Sequence, residues 1–451
     1  MGKPIPTPLI DSLAGVPGFD KEAFQAVHEQ ANPPVSIRFN PAKYKQDPTD
    51  FPSIATQVPW SSHGYYLSGR PSFTLDPFFH AGVYYVQEAS SMFLEQAIQQ
   101  TCDLTRRMRV LDSCAAPGGK STLIQQLISP ESLLVSNEII KQRAGILAEN
   151  ITKWGAANVV VTNNDPAHFQ KLPGFFDLIV VDAPCSGSGL FRKDPDAIEE
   201  WSINNVALCS QRQQRILADL LPALAPGGTL IYSTCSYSPA EDEEIMQWLV
   251  NEQQLLSIPL ETDPAWHIVE TKKGQASGYR FYPDKLEGEG FFLACFRKAE
   301  GAEFRHQRHK PAKHAYADLL QQFIDAPVEM TVMERAEGLI CYPAACQEDI
   351  LQIQKACYIR QCGISLGSMA KGKLIPDHAW AMSAYRKNAY PIIRLDKEQA
   401  LAYLRKADLR LENIPTGWLL VAYEEVILGL IKSMPGRMNN YYPSSWRILN
   451  K

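Results

Sequence analysis

The sequence lacks the long apolar runs that cross membranes and the excess of basic residues typical of proteins that coat nucleic acids. No apolar run approaches the roughly 18 residues that a membrane span needs. The first residues contain prolines and an acid where a secretory signal needs a continuous apolar stretch, and Thr7 falls one place late for myristoylation. The net charge of -5 over 451 residues restricts any contact with nucleic acid to local basic patches. These absences predict a cytoplasmic protein.

The cysteines lack the dense spacing of a secreted disulfide framework. Ten are spread along the chain, which favours a reducing compartment. Cys341 with Cys346 and Cys357 with Cys362 form two C-x4-C pairs, which raises the alternative of a zinc site. The spacing is longer than in the usual zinc ribbon, and the second pair lies in the helix-like stretch ILQIQKACYIRQCG. We therefore expect buried free thiols and no bound metal.

Strand and helix patterns alternate from 109 to about 298. The helix patterns include KSTLIQQLI, QRAGILAENITKW and QRQQRILADLLPAL. The strand patterns are apolar and rich in β-branched residues: RVLDSCA, LLVSNEI, ANVVVTNND, FDLIVVDAP, TLIYSTCS and GFFLACFRK. Such alternation is typical of an α/β domain with a parallel, doubly wound sheet.

Changes in pattern divide the chain into four predicted regions. An N-terminal α/β region (1–100) contains the helix pattern FDKEAFQAVHEQ and the strand pattern VSIRFNP, and the alternating domain (101–300) follows it. Next come a linker with a small helix-rich domain (301–372) and a compact β-rich unit (373–451). The polar segment 298–315, with its basic side chains, is either a solvated linker or an RNA contact. Those side chains are Arg305, Arg308, Lys310 and Lys313.

The stretch RVLDSCAAPGGKST places a strand, a glycine-rich turn and a helix start in order. It is not a phosphate-binding P-loop, because that motif needs glycine where Cys114 stands, and the dinucleotide pattern G-x-G-x-x-G is also absent. What remains is a turn in which glycines let backbone amides approach a ligand at the carboxyl edge of the sheet.

Acidic residues follow successive strands at that edge. Glu138 follows Gly119 at about the spacing at which an acid binds ribose hydroxyls, and Asp165 and Asp182 follow the third and fourth strands. Several acids without a basic cradle suit a ligand that has a ribose and a positive centre but no phosphate, which describes S-adenosylmethionine. The alternative is that these acids only cap the following helices.

Two cysteines follow neighbouring strands: Cys185 in DAPCSGSG and Cys235 in YSTCS. A thiolate can add to carbon 6 of a pyrimidine and make carbon 5 nucleophilic, and it can leave afterwards by elimination. Asp182 is placed to support the N3 atom of such a ring. Each thiol alone would more often be structural, and a disulfide is a further alternative that a reducing compartment disfavours. The sequence does not decide which of the two thiols attacks.

The ordered motifs DSCAAPGGKS, NEI, DAPCSGSG, YSTCSYSPAEDEE and RFYPDKLEGEGFFLACFRK resemble the Sun/NSUN family of RNA cytosine-5 methyltransferases. The resemblance implies a Rossmann-like methyltransferase domain in which Cys235 is the nucleophile and Cys185 assists release of the product. It also implies that Lys120 lies near the reacting centre and that Arg192 and Lys193 contact RNA phosphate; a helix-start lysine and a solvated loop are the alternatives. The implied residues for S-adenosylmethionine are Cys114, Ala115, Ala116, Pro117, Gly118, Gly119, Lys120, Glu138, Asp165 and Asp182.

The C-terminal stretch PGRMNNYYPSSWRI is similar to the bacterial subgroup of 16S ribosomal RNA methyltransferases that carry a PUA-type RNA-binding domain. This resemblance implies a monomer that acts on 16S rRNA or on the 30S subunit. A tRNA substrate, a non-catalytic ribosome-assembly factor and a small-molecule methyltransferase are the alternatives. Basic and aromatic residues suit RNA here, although Tyr and Trp are also common in β-rich cores: Arg437, Lys432, Arg447, Tyr441 and Tyr442. We interpret the acidic run 240–244 as the first turn of a helix.

Overall fold

The computed structural model describes residues 4–30, 33–304 and 316–449. The basic side chains Arg305, Arg308, Lys310 and Lys313 lie outside these ranges, so their predicted role in a linker or an RNA contact is untested. Within the described ranges, no helix combines the length and the apolar composition of a membrane span.

The N-terminal region forms a four-stranded antiparallel sheet in the order β2-β3-β1-β4. Both patterns recognised there form the expected elements. The helix begins where the Asp20 carboxylate accepts a hydrogen bond from the Ala23 amide, and it buries Phe24 and Val27. The elements are α1 Thr7–Ser12, α2 Lys21–Glu29, β1 Val35–Phe39, β2 Ile54–Gln57, β3 Gly64–Leu67, α3 Pro77–Ala81, β4 Tyr84–Val86 and α4 Leu94–Thr101.

The central domain contains strands and helices in alternation, as the sequence pattern predicts. They are β5 Arg109–Asp112, α5 Gly119–Leu127, β6 Leu133–Asn137, α6 Lys141–Trp154, β7 Val159–Thr162, β8 Phe176–Asp182, α7 Ala197–Glu200, α8 Ile203–Leu220, β9 Leu224–Thr234, α9 Glu243–Asn251, β10 Leu256–Ile258, β11 Val269–Lys273, β12 Ala276–Phe281 and β13 Phe291–Arg297.

Five strands of the central sheet are parallel, in the order β9-β8-β5-β6-β7. Side chains from both of their faces are buried in two apolar clusters, which explains their continuous apolar sequences. The strand GFFLACFRK belongs to this sheet but runs antiparallel to β9, so its place in a wholly parallel sheet was wrongly predicted. The physical reason is that β13 follows β12 as an antiparallel neighbour, without the helical crossover that a parallel connection needs.

The C-terminal part contains two further four-stranded sheets, in the orders β14-β15-β17-β18 and β19-β20-β21-β22. Its elements are α10 Ala317–Phe323, β14 Met330–Arg335, β15 Gly338–Pro343, α11 Gln347–Ala356, β16 Ile359–Cys362, β17 Ile364–Ala370, β18 Lys373–Pro376, α12 His378–Met382, β19 Ile392–Leu395, α13 Lys397–Arg405, β20 Gly417–Tyr423, β21 Val426–Met434 and β22 Arg437–Asn440.

Two expectations for 301–372 were wrong. The segment is not helix-rich, because most of its strands pair into a sheet, and the proposed limit at 372 divides the hairpin in which Ala370 pairs with Lys373. The helix in ILQIQKACYIRQCG ends at Ala356, and β16 then pairs with β7 at the edge of the central sheet. Helical spacing in the sequence cannot reveal this pairing, because it joins residues that are far apart in the chain.

The four cysteines of the C-x4-C pairs are buried as free thiols. Burial raises the pKa of each thiol to about 12. In the described part of the chain, no cluster of three or more histidine, cysteine or acidic side chains is arranged to hold a metal ion.

Candidate active site

The carboxyl ends of β8 and β9 bring the two cysteines of the strand-end motifs together. The Sγ atoms of Cys185 and Cys235 are 2.9 Å apart, and both cysteines are free. The hydrogen bond to Cys235 and then burial raise the pKa of the Cys185 thiol well above its usual range. The raised pKa favours the protonated form of Cys185, and a hydrogen bond joins the two sulfurs, either of which can be its donor.

A buried carboxylate holds together the two loops that carry the cysteines, which we call the cysteine loops: the loop after β8 with Cys185 and the loop after β9 with Cys235. Glu241 accepts hydrogen bonds from the Ser186 amide at 2.8 Å, from the Ser186 hydroxyl at 2.5 Å and from the Ser236 hydroxyl at 2.7 Å. Ser186 follows one cysteine and Ser236 follows the other, so Glu241 fixes the separation of the sulfurs. Burial raises the pKa of Glu241 despite these donors.

The acidic run 240–244 is only partly the first helical turn that we expected. Glu243 and Glu244 lie in the first turn of α9, but Glu241 and Asp242 precede the helix and are buried. Asp242 accepts a hydrogen bond from Thr234 at 2.7 Å and lies in an ion pair with the buried Arg280. Two of the acids therefore support the cysteine loops.

Lys120 and Asp182 form an ion pair beside the cysteines. The Lys120 Nζ atom is 2.7 Å from Asp182 Oδ2, and the Ser233 hydroxyl donates to Asp182 Oδ1 at 2.9 Å. Burial lowers the pKa of Lys120, but Asp182, Cys235 and Asp112 together outweigh it, so the net effect is a raised pKa. The site thus holds a positive charge that interacts with the Cys235 sulfur.

The glycine-rich stretch forms a tight turn between β5 and α5. The Ala115 amide donates to the Asn137 carbonyl at 2.8 Å, while Arg143 and Asn150 donate to the carbonyls of Ala116 and Pro117, each at 2.8 Å. Glycine is required next, because Gly118 has a φ of +121°. A side chain on Gly119 would lie 3.2 Å from the ring of Tyr85.

The acids at the strand ends have different surroundings. Glu138 is 3% exposed, accepts a hydrogen bond from the Ile140 amide at 2.9 Å and lies 3.5 Å from Arg143. Asp165 accepts from the Ala167 amide at 3.0 Å and begins a short 3-10 helix. The capping alternative therefore describes Asp165 but not Glu138, because the N-cap residue of α6 is Ile140 and no side chain caps that helix. Both carboxylates keep further oxygen lone pairs for a ligand.

The sequence interpretation missed Asp112, the last residue of β5. Its carboxylate is fully buried; Ser121 donates to Oδ2 at 2.7 Å, and Oδ1 has no hydrogen-bond partner among the described residues. Burial raises the pKa of Asp112 to about 7. The signal was available, because Asp112 is a strand-end acid like the three that we named. This orphaned oxygen beside an open glycine turn fits a polar ligand such as S-adenosylmethionine.

Arg38, on β1 of the N-terminal sheet, reaches the same turn. It is fully buried and donates to the Gly119 carbonyl at 3.2 Å, to Thr122 at 2.5 Å, to Gln126 at 2.6 Å and to Gln87 at 2.9 Å. Gly119, Thr122 and Gln126 belong to α5, so the N-terminal sheet holds the helix that follows the glycine turn. No sequence motif pointed to this contact.

The basic residues proposed for RNA differ in accessibility. The Arg192 side chain is 5% exposed, lies 3.6 Å from Glu289 and donates to the Gly288 carbonyl at 3.1 Å. The Arg192 side chain is buried, so it is neither a surface contact for phosphate nor part of a solvated loop, and both expectations for Arg192 were wrong. The physical reason is that a loop distant in the chain supplies Glu289 and Gly288 as its partners. Lys193 is exposed and lines a groove of about 550 Å³ together with Arg70.

The basic and aromatic residues proposed for RNA in the C-terminal domain also differ in exposure. Arg437 and Arg447 are exposed, and Tyr441 is 37% exposed, whereas Tyr442 is buried in the core. Lys432 lies over the Trp418 ring at 5.1 Å. Tyr442 is therefore a core residue and not a surface contact.

The sequence of this chain is similar to known protein families along most of its length. Three family models match: the N-terminal domain of 16S rRNA methyltransferase RsmF over 5–89, 16S rRNA methyltransferase RsmB/F over 100–297, and the methyltransferase RsmF PUA domain over 390–448. Proteins named ribosomal RNA small subunit methyltransferase F are similar over most of their length. The Shewanella frigidimarina protein is 30% identical over 86% of this chain and 85% of its own. The Erwinia tasmaniensis protein is 29% identical over 94% and 93%.

Solved structures agree on the fold. A methyltransferase homolog from Pyrococcus horikoshii is 28% identical with a TM-score of 0.52, and it covers 65% of this chain and 100% of that one. NSun6 from Pyrococcus horikoshii, solved with SFG, is 18% identical with a TM-score of 0.51, covering 62% and 94%; at this identity it supports the fold alone. The chain therefore belongs to the RsmB/F family of 16S rRNA methyltransferases, which use S-adenosylmethionine, and it has the family's N-terminal, catalytic and PUA domains.

Proposed function

We propose that this protein methylates carbon 5 of cytosine in the RNA of the small ribosomal subunit, through a covalent bond between Cys235 and carbon 6. The observation that carries the proposal is the pair of sulfurs 2.9 Å apart beside the Lys120–Asp182 ion pair. Carbon 5 of cytosine is not nucleophilic by itself. A thiolate that adds to carbon 6 makes carbon 5 nucleophilic, and a second thiol can assist its later departure. A methyl transfer to an amine or hydroxyl would need neither thiol.

In the first step the Cys235 thiolate forms a bond to carbon 6. The Asp182 carboxylate takes the proton of the Cys235 thiol and passes it to N3 as the electron pair of the ring double bond shifts through carbon 4 to N3. The ammonium of Lys120 lies beside Asp182 and interacts with the Cys235 sulfur. The target base must leave its stack to reach this buried edge.

S-adenosylmethionine supplies a methyl group on a positively charged sulfur, and carbon 5 takes that group. A base then removes the carbon 5 proton, the ring double bond forms again, and the bond between carbon 6 and sulfur breaks. N3 returns its proton to Asp182. The electron pair goes to the sulfur of Cys235, which accepts a hydrogen bond from the protonated thiol of Cys185. A hydrogen bond to the leaving sulfur lowers the energy of the departing thiolate, which is the release role proposed for Cys185.

The residues that would hold S-adenosylmethionine surround the glycine turn. Backbone amides of the turn and the buried carboxylates offer hydrogen bonds to its polar groups, and the surplus of acids suits its positive sulfonium. We assign to this site Cys114, Ala115, Ala116, Pro117, Gly118, Gly119, Lys120, Glu138, Asp165 and Asp182, and we add Asp112. For RNA, we retain Lys193 and Arg437, whose side chains are exposed.

The test follows labelled methyl from S-adenosylmethionine into unmodified 16S rRNA, 30S subunits and tRNA, with nucleoside analysis of the product. We expect 5-methylcytosine in the ribosomal substrate. Cys235→Ala should form neither adduct nor product, whereas Cys185→Ala should accumulate enzyme bound to RNA on a denaturing gel. Cys102→Ala, which changes a thiol outside the site, is the matched control.

Two outcomes contradict the proposal. An adduct that persists in Cys235→Ala but disappears in Cys185→Ala would reverse the two roles. Methyl groups found only in tRNA, only in protein or at another position of cytosine would remove the substrate assignment.

A further inference from the structure

A groove of about 750 Å³ lies outside the site described above, where three parts of the molecule meet. Helix α6 of the central domain contributes Thr152, and β16, the strand of the C-terminal part that pairs with the edge of the central sheet, contributes Arg360. The sheet β14-β15-β17-β18 contributes Arg335 and Ser368, and the turn after β22 contributes Tyr441. We call it the interdomain groove. No one of the three parts forms it alone, so it exists only in the assembled chain.

Two arginines give the interdomain groove its positive charge: Arg360 is exposed, whereas Arg335 is half-buried and its Nη2 atom is buried. Neither Arg335 nor Arg360 forms an ion pair with a carboxylate of the described residues, and Nη2 of Arg335 has no hydrogen-bond partner there. Of the two acids in the lining, Asp377 already caps α12 by accepting from the Ala379 amide at 2.8 Å. Glu337 is exposed on the turn between β14 and β15. The unpaired guanidinium groups are suited to phosphate.

More positive charge lies behind the lining. His378 is buried at the groove with no hydrogen-bond partner for either ring nitrogen among the described residues. Burial and the charges of Lys153, Lys43 and Lys406 lower its pKa to about 3, so the ring is neutral at physiological pH. Lys153 is paired with Glu149 and burial lowers the pKa of Lys43 well below its usual range, so of the three lysines Lys406, which donates only to carbonyls, adds positive charge at this face.

Exposed aromatic rings complete the lining. Tyr358, immediately before β16, is 64% exposed, and Tyr441 is 37% exposed with its ring 4.5 Å from that of Trp418. Large exposed rings next to unpaired arginines are the combination that binds single-stranded nucleic acid, in which bases stack on the rings and phosphates meet the cations. A protein partner would favour a more apolar surface at its centre.

The interdomain groove is connected to the edge of the sheet that carries the cofactor turn. The Tyr358 carbonyl accepts hydrogen bonds from the Asn163 amide at 3.3 Å and from the Asn164 side chain at 2.9 Å. Asn164 in turn binds Asn137, whose carbonyl accepts from Ala115 of the turn. The lining of the interdomain groove and the glycine turn are therefore joined through the hydrogen-bonded residues Asn164 and Asn137.

We propose that the interdomain groove binds a single-stranded segment of the RNA substrate away from the target cytosine, with its phosphates at Arg335 and Arg360 and its bases against Tyr358 and Tyr441. This inference rests on the proposed action on RNA and extends it to the path of the substrate. It gives the contact between the central and C-terminal domains a role in recognising the substrate.

The experiment compares the full-length protein with Arg335→Gln/Arg360→Gln in binding to transcribed 16S rRNA over a range of KCl concentrations. The matched control is Arg394→Gln/Arg410→Gln, which removes two exposed arginines that are paired with Glu425 and Asp408. We expect about tenfold weaker binding of the groove variant at 0.15 M salt. We also expect its slope of log affinity against log salt to be smaller by roughly 1.4 to 1.8, because two phosphate contacts are lost. The control should keep the wild-type slope.

A second variant guards against a loss of folding in the first. Tyr358→Ala changes an exposed ring and should weaken RNA binding about tenfold without changing the melting temperature. An unchanged RNA affinity and salt slope in both variants would overturn the proposal. Weaker binding to 30S subunits with unchanged binding to naked RNA would also overturn it and identify a protein contact. Methyl transfer by the wild type is measured separately, so failure of the proposed activity is distinguishable from failure of the groove.

Discussion

At the scale of the residue, a raised pKa distinguishes Cys185 in the hydrogen-bonded pair of cysteines. Both follow a parallel strand and both lie beside the same ion pair, so the surrounding elements do not distinguish them. The hydrogen bond between the sulfurs raises the pKa of Cys185. A protonated Cys185 cannot attack a ring, but it can stabilise the sulfur that leaves.

Asp112 provides a prediction at the same scale. Its folded pKa of about 7 lies above the unfolded value of about 3.9, so the folded protein binds more protons between these pH values. Its contribution to stability is therefore present below about pH 4 and is lost as the pH rises through about 7. Asp112→Asn removes this loss, so its melting temperature should rise relative to wild type between pH 5 and pH 8. The upper limit of the effect is about 4 kcal/mol.

The measurement is thermal unfolding of both proteins at each pH, read as the difference between them so that other titrating groups cancel. Asp408→Asn, at a carboxylate that is 82% exposed, is the control and should show no such trend. A difference that does not change with pH would contradict a buried Asp112 that ionises near neutrality.

At the scale of the element, the segments that carry Cys185 and Cys235 are held together by an acid of the β9–α9 connection, which also carries Cys235. Glu241 lies between β9 and α9 and binds both Ser186 and Ser236. Glu241→Gln replaces a charged acceptor with a group that satisfies fewer of these donors. We expect a loss of about 1–3 kcal/mol of stability and at least about a tenfold decrease in methyl transfer, because the sulfurs lose their fixed separation.

Glu244→Gln is the matched control, since Glu244 is in the same acidic run but is exposed and only 3.5 Å from Lys273. Thermal unfolding and single-turnover methyl transfer measure the two effects separately. Wild-type turnover in Glu241→Gln would show that the carboxylate supports the fold without positioning the thiols.

At the scale of the whole molecule, the N-terminal sheet supports the glycine turn that we propose for the cofactor. Arg38 donates three hydrogen bonds to residues of α5 and a fourth to the side chain of Gln87, which follows β4. Helix α5 begins at the glycine turn. Arg38→Met should weaken the binding of S-adenosylhomocysteine about tenfold. Arg38→Lys should be intermediate, because an ammonium keeps the charge but cannot reach all four acceptors.

Calorimetric titration of the full-length variants measures this affinity, and Arg70→Met, at an exposed arginine of the same region, serves as the control. A lower melting temperature with wild-type cofactor affinity would assign Arg38 a structural role only. A change in cofactor affinity larger than the change in maximal rate supports the positioning role.

Much of the fold was predictable because it depends on local patterns. The five apolar strands and the helices between them follow from periodicity, and the cofactor turn follows from glycines after a strand. The reversed direction of β13, the pairing of β16 with β7 and the burial of Arg192 were not predictable. Each depends on partners from distant parts of the chain, such as Gly288 for Arg192, and no local pattern encodes them.

The sequence by itself determined the chemistry that is available: two thiols and several acids at the ends of apolar strands, since each follows from residue type and near neighbours. Only the tertiary structure decided how these groups act. It placed sulfurs 50 residues apart at hydrogen-bond distance and connected Arg38 to a carbonyl 81 residues away. It also closed the interdomain groove from three separate parts of the chain. The physical reason is that pKa, charge pairing and groove shape depend on distance in space, which packing of the whole chain sets.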